Sequence, residues 1–322
     1  MDFHEIRALS SRIKENISKV IVGKEGIIDL LLVALIGNGH VLLEDVPGTG
    51  KTMIAKSLAI STGCEFRRIQ FTPDLLPSDV TGMNIYNQKK SDFEFRPGPV
   101  FANVILADEI NRATPRTQSS LLECMEERQV TIDGETRQLE SPFFVIATQN
   151  PVEIQGTFPL PEAQLDRFFL KLKMGYPSTE EALGILDRFI DQNPLEHLEP
   201  VASAREIAEA QESYQKVHVS QAIREYIIAI IEKTRERDQV ILGVSPRGSL
   251  ALMRAAQVYA LIKGRDYVLP DDIKALVQPV LGHRMIVKNT YGVKGNQTEA
   301  ILEDILQSVP VPTEELSFTQ DI

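Results

Sequence analysis

The chain has 322 residues, enough for two domains, and 43% of them are apolar, an ordinary share for a folded globular protein. No stretch stays apolar long enough to span a bilayer, and Met1-Asp2-Phe3-His4-Glu5 lacks the basic flank and apolar core of a secretory signal. A net charge of −11 argues against a nucleic-acid groove as the main working surface, because neutralising phosphates requires clustered Lys and Arg.

In chain order, Phe3 to Val20 reads as an amphipathic helix and Glu25 to Ile36 as a second, strongly apolar one. Val41–Glu44 is a short strand, followed by Asp45-Val46-Pro47-Gly48-Thr49-Gly50-Lys51-Thr52 and the helix-prone Met53-Ile54-Ala55-Lys56-Ser57-Leu58. Strand, glycine loop and helix in that order are the context a phosphate-binding loop requires. Gly48 and Gly50 let backbone N–H groups turn toward an anion, and the helix N-terminus adds partial positive charge. Lys51 can reach the β- and γ-phosphates, and the Thr52 hydroxyl can ligate Mg²⁺. Asp45 stands where the pattern has its first glycine, which suits a triphosphate only if the carboxylate points away.

Glu65–Gln70 reads as the next strand. Thr81 to Phe101, with alternating Phe93 and Phe95 and Pro97-Gly98-Pro99 punctuation, reads as an inserted hairpin. Val104–Ala107 is a buried parallel strand ending in Asp108 and Glu109, which puts two acids at the carboxyl edge of the sheet. Asp108 can hold Mg²⁺ through its water shell, and Glu109 can orient and deprotonate an attacking water; the alternative is a pair of solvated acids. Glu126-Glu127-Arg128 reads as a solvated helix end, and Gln129–Glu140, with Asp133–Gly134 at its centre, as a second hairpin.

Phe143–Ala147 is a further strand, followed by Asn150, which either hydrogen-bonds the γ-phosphate or lytic water or simply starts a turn. Arg167 precedes the last strand, Phe168–Lys173, and reads either as a cation reaching phosphate in a neighbouring subunit or as the ion-pair partner of an acid such as Asp166. The alternation of strands and helices to this point is that of an α/β layered sheet.

After Gly175-Tyr176-Pro177-Ser178 the pattern turns helical over Glu180–Asp191, Ala204–Gln215, Ser220–Arg235, Pro246–Lys263, Pro270–Leu281 and Thr298–Gln307, so the domain boundary is set near 176. Arg247 opens one of these helices and carries the same two readings as Arg167. The polar, Pro-interrupted tail from Pro310 to Ile322 reads as loosely held, and the five histidines have no ligand spacing. Cys64 and Cys124 are too few for a disulfide framework and read as buried thiols of a cytoplasmic protein.

Several blocks together carry a resemblance. They are Leu42-Leu43-Glu44-Asp45-Val46-Pro47-Gly48, Phe95-Arg96-Pro97-Gly98-Pro99-Val100-Phe101, Ala107-Asp108-Glu109-Ile110-Asn111-Arg112-Ala113 and Ala147-Thr148-Gln149-Asn150-Pro151. Gly156-Thr157-Phe158-Pro159-Leu160-Pro161-Glu162 running on to Phe168, Gly243-Val244-Ser245-Pro246-Arg247-Gly248-Ser249, Val268-Leu269-Pro270-Asp271-Asp272-Ile273 and His283-Arg284 complete the set. On these the chain resembles the MoxR family of AAA+ ATPases from about residue 15 to about residue 290.

The resemblance implies an α/β AAA+ P-loop core with three layers and a parallel sheet over 1–176, followed by an all-helical lid over 177–322. The hairpins become a helix-2 insert at about 81–101 and a pre-sensor-1 insert at about 129–140. Asn150 becomes sensor 1, Arg167 the arginine finger and Arg247 sensor 2, while Val22 and Gly23 flank the adenine and Asp45 is a tolerated variant of the loop. It further implies ATP with Mg²⁺, a homo-oligomeric ring that is a hexamer, and chaperone-like remodelling, maturation or activation of protein complexes with von Willebrand factor A domain partners. A nucleotide-gated assembly scaffold with slow hydrolysis and a magnesium-chelatase-like motor subunit are the alternatives; client identity and whether Arg247 acts in cis or in trans stay open.

Overall fold

The computed structural model describes residues 1–151, 156–190, 192–288 and 297–312, and the chain divides into two units, Met1–Tyr214 and Gln215–Ile322. In the first, α1 (Phe3–Ser18) starts at a capping box, with Asp2 accepting from Glu5 N at 2.8 Å and the Glu5 carboxylate accepting from Asp2 N at 2.7 Å. Ile6, Leu9, Ile13 and Ile17 give α1 one fully buried face, and α2 (Glu25–Ile36) is buried along most of its length. Then come β1 (Val41–Glu44), α3 (Lys51–Ser61), β2 (Phe66–Gln70), α4 (Pro77–Thr81), β3 (Gly82–Asn87), β4 (Asp92–Pro97), β5 (Val104–Asp108) and α5 (Pro115–Glu127). They are followed by β6 (Gln129–Ile132), β7 (Glu135–Gln138), β8 (Phe144–Gln149), α6 (Glu162–Leu165), β9 (Leu170–Leu172), α7 (Thr179–Phe189) and α8 (Ala204–Ser213).

Five of these strands form one parallel sheet in the order β2-β5-β8-β1-β9. β1, β5 and β8 are apolar and buried almost throughout, as strands covered on both faces must be. Parallel register puts all five carboxyl ends on one edge, so Glu44, Gln70, Asp108 and Gln149 end their strands side by side. Leu42, Ile105, Val145 and Ala147 pack with Leu121, Leu122 and Phe168 into one core cluster on a face of the sheet.

The amino edge is laced by polar side chains. Buried His40 accepts from Val145 N at 3.0 Å through Nδ1, and its Nε2 lies 3.0 Å from Met125 O. Arg128 donates to Asn38 O at 2.8 Å and Phe143 O at 3.2 Å; Asn103 accepts from Glu65 N at 3.2 Å and donates to Pro142 O at 3.1 Å. Arg128 is the left-handed C-cap of α5, and its guanidinium staples the sheet edge, so this helix end is not simply solvated as its sequence context suggests.

Both inserted hairpins form. β3 and β4 pair antiparallel, and β6 and β7 turn through Asp133 (φ 51°) and Gly134 (φ 86°), the two left-handed residues a tight hairpin turn needs. Asn84 Nδ2 donates to Asp133 Oδ2 at 2.7 Å, and the Arg137 guanidinium sits 4.2 Å from the centre of the Phe95 ring, so the two ribbons touch.

The division between units at Tyr214 falls later than 176, because the segment between packs on the core. Val201 and Ala202 N–H groups donate to Ser61 O at 3.1 and 3.0 Å, Asn16 donates to Glu199 O at 2.8 Å, and Gln211 donates to Leu35 O at 2.8 Å. Helix α7 ends at Phe189, and Asp191, where the sequence ends it, lies outside the described residues, as does the tail from 313.

The second unit contains α9 (Gln221–Glu236), β10 (Val240–Leu242), α10 (Pro246–Ile262), α11 (Pro270–Leu281), β11 (Ile286–Val287) and α12 (Gln297–Ser308). Its core is aliphatic, with Ile230, Leu252, Leu276, Val277 and Ile305 fully buried. Arg265 makes a two-pronged ion pair with Asp272 at 2.6 and 2.7 Å, and Asp272 also accepts from Leu269 N at the start of α11. The short antiparallel pairing of β10 with β11 is an addition to the helical unit that the sequence pattern does not signal.

Candidate functional site

The loop between β1 and α3 turns through Gly48 (φ 84°) and Gly50 (φ 88°), conformations that strain any other residue. Gly50 is the N-cap of α3, so Lys51 and Thr52 stand in its first turn, where unpaired N–H groups favour an anion. The Lys51 ammonium donates to the Asp45 and Val46 carbonyls at 3.0 and 2.7 Å. The Asp45 carboxylate accepts from Val46 N at 2.8 Å and from Gly175 N at 2.6 Å, which answers how an acid is accommodated at that position.

Across the cleft, Asp108 and Glu109 leave the carboxyl end of β5. Thr148, on β8, ties them together: its hydroxyl donates to Asp108 Oδ1 at 2.6 Å and accepts from Glu109 N at 2.8 Å. Glu109 has left-handed backbone (φ 56°, ψ 49°), costly for a residue with a side chain and held by its surroundings. Its Oε2 accepts from Gln70 Nε2 at 2.9 Å and pairs with Arg112 at 3.1 Å. Arg68, on β2, pairs with Asp108 Oδ2 at 2.5 Å and donates to Gln70 Oε1 at 2.7 Å.

Together these groups line one polar cleft of about 450 Å³ that includes Pro47, Gly48, Gly50, Lys51, Thr52, Asp108, Glu109 and Asn150. A second cleft of about 190 Å³, mostly apolar, shares Gly48, Gly50 and Met53 with the first and adds Thr49, Val22, Met174, Ile185 and Phe189. The loop thus has a charged pocket on one side and an apolar one on the other. Gly23 adjoins Val22 beside the Glu181 carboxyl, in a left-handed conformation (φ 67°) that strains any other residue.

Of the site residues singled out in the sequence, Gly23, Arg167 and Arg247 are not among those lining these clefts. Arg167 pairs with Glu126 at 3.0 Å, just ahead of β9 at the amino edge. This is a different acid from the neighbour Asp166 considered above, and Glu126 is correspondingly no simple solvated helix end. Arg247 is exposed in the first turn of α10, in the second unit.

The sequence reading passes over Arg68, Gln70, Thr148, Arg112 and the apolar wall of Met174, Ile185 and Phe189. The signal for Arg68 and Gln70 is available: polar residues at the carboxyl end of a strand beside the acidic one. Mg²⁺ suits the cleft, since the Thr52 hydroxyl and Asp108 carboxylate are the hard oxygens it takes beside substrate phosphates. That Asp108 draws the Arg68 guanidinium shows the position already attracts a cation.

Comparison with known proteins agrees with this architecture. Residues 40–170 match the ATPase family associated with various cellular activities (AAA), and residues 232–305, within the second unit, match the AAA lid domain. The chain is 55% identical to YeaC of Bacillus subtilis over 96% of its own length and 97% of that protein. It is 41% identical to Chaperone MoxR1 of Mycobacterium tuberculosis over 96% and 83%, and 32% identical to Protein MoxR of Paracoccus denitrificans over 91% and 93%. A crystal structure of a Cytophaga hutchinsonii protein superposes with a TM-score of 0.88 at 41% identity, covering 97% of each chain. No described helix is long and apolar enough to cross a membrane.

Proposed function

The chain belongs to the MoxR family of AAA+ ATPases, and from that membership we propose that it binds ATP across the paired clefts and hydrolyses it. The observation that carries the reading is the joining of a cationic glycine loop, two acids and Asn150 in one polar cleft that adjoins an apolar pocket across the same loop. The loop N–H groups and Lys51 take the phosphates, and the pocket beside Val22 and Gly23 takes the adenosine end. Mg²⁺, held by Thr52 and Asp108, supplies charge neutralisation on the phosphates.

In this reading Glu109 accepts the proton of the attacking water as that oxygen bonds to the γ-phosphorus and the bond to the β–γ bridging oxygen breaks, releasing ADP and phosphate, and Asn150 orients the water or the γ-phosphate. The grip of Gln70 and Arg112 on Glu109 Oε2 means that the carboxylate turns from these partners to act. Arg167 lies outside the cleft of its own chain and is assigned to the site of a neighbouring subunit in a hexameric ring. Arg247 serves as sensor 2.

The energy is spent on remodelling, maturation or activation of protein complexes. The relative named Chaperone MoxR1 supports that use, and von Willebrand factor A domain proteins are the partners the family suggests. The buried, unbridged thiols of Cys64 and Cys124 suit a cytoplasmic setting.

Glu109→Gln tests the core of the reading. It keeps the shape and the Gln70 contact but removes the base, so ATP binding stays near wild type while phosphate release falls by at least about 10²-fold. Retained turnover would assign the base elsewhere.

A further inference from the structure

We infer that Asp45 is a positioning residue that sets the separation between the phosphate cradle and the wall of the nucleoside pocket, so that it acts on ligands spanning both and not on those filling the cradle alone. The inference rests on the nucleotide reading given above.

Asp45 occupies the point where the common loop sequence has a glycine, a residue without a side chain to contribute. Here it makes four bonds in three directions. Its N–H donates to Gln149 O at 3.1 Å, anchoring the loop to the end of β8. Its carbonyl accepts from Lys51 Nζ at 3.0 Å, beside the cradle. One carboxylate oxygen accepts from Val46 N at 2.8 Å, which fixes the loop's own entry. The other accepts from Gly175 N at 2.6 Å, a contact 130 positions along the chain.

That last bond matters because of what Gly175 belongs to. Met174, Gly175 and Pro177 form one wall of the apolar pocket, and Gly48, Gly50 and Met53 form the wall shared with the cradle. The carboxylate is therefore a strut between the loop that wraps phosphates and the connector that faces the nucleoside. Hydrogen bonds from N–H groups to a carboxylate are short and strong, so the spacing is fixed more firmly than a glycine at this position allows. The same bonds turn the negative charge onto two N–H donors, which removes the objection to an acid beside a triphosphate.

A span-dependent effect separates this role from a merely structural one. The test is displacement of a fluorescent ATP analogue from wild type, Asp45→Gly and Asp45→Asn, using unlabelled ATP and, separately, inorganic tripolyphosphate, with thermal midpoints recorded for each protein. The strut predicts that Asp45→Gly weakens ATP binding about tenfold, that tripolyphosphate shifts by no more than about twofold, and that Asp45→Asn, which keeps one acceptor oxygen, falls between. Unchanged ATP binding by Asp45→Gly overturns the inference. Equal losses for ATP and tripolyphosphate also overturn it, since the residue then shapes the cradle only. Wild-type protein that binds tripolyphosphate but shows no added affinity for ATP overturns the nucleotide reading itself, and the inference with it.

Discussion

The two edges of the parallel sheet are both polar, yet they are built on opposite principles. At the amino edge, His40, Arg128 and Asn103 bond to backbone groups of neighbouring strands and helices. Such partners cannot leave without the chain unfolding. At the carboxyl edge, Arg68 meets Asp108, Gln70 and Arg112 meet Glu109, and Lys51 rests on loop carbonyls. Nearly all of these partners are side chains that can turn toward something else. The Arg167–Glu126 pair apart, one edge is a seam, and the other is a set of side-chain pairs able to exchange partners.

The contrast breaks first at His40 if it is mistaken. His40→Ala removes two bonds in a buried place and is expected to cost about 2–4 kcal/mol of unfolding free energy, with the KM for ATP unchanged in the protein that stays folded. Urea unfolding and steady-state kinetics on one preparation decide the matter. A large KM change with little loss of stability would make the amino edge part of the site.

The second expectation concerns pH. Burial, and then the charge of Arg128, push the His40 pKa down to about 3. Between that value and the ordinary pKa of about 6.5, only the unfolded chain binds the proton, so stability rises with pH through this window and is lost as pH falls. The gap in stability between wild type and His40→Ala should therefore narrow by about 2 kcal/mol from pH 7 to pH 5. A constant gap would mean that His40 titrates normally in the folded protein.

The smallest effect belongs to the other edge. Arg68 is 46% exposed, so Arg68→Ala should change unfolding free energy by less than about 1 kcal/mol. It should lower the Mg²⁺ concentration needed for half-maximal binding of the fluorescent ATP analogue, because a competing cation is gone from Asp108. A loss of stability matching that of His40→Ala would erase the distinction between the two edges.

Much of this was legible in advance where one residue type has one physical use. The glycine loop, the apolar strand ending in Asp108–Glu109 and the Asp133–Gly134 turn each follow from short-range chemistry. The edges of α2, β1 and α11 fall where the sequence puts them. Pairings over long range were not legible. Nothing near Arg167 points to Glu126, and nothing near Asp45 points to Gly175, because both depend on how distant strands register. The division between units lies past 176 for a similar reason: composition changes at 176, but contacts with Ser61 and Leu35 hold the following segment to the core.

The bond from Asn84 to Asp133, with Arg137 lying over Phe95, has a mechanical meaning. Each ribbon is a two-stranded arm rooted at its base, with Val130 in the core cluster, Ile132 and Leu139 packed against it, and Phe95 meeting Phe101 edge-on. Clasped at the tip of one and the strand of the other, they behave as a braced truss, in which a push on either is borne by both. The brace is light, since one exposed amide–carboxylate bond and one cation–π contact are each worth about 1 kcal/mol.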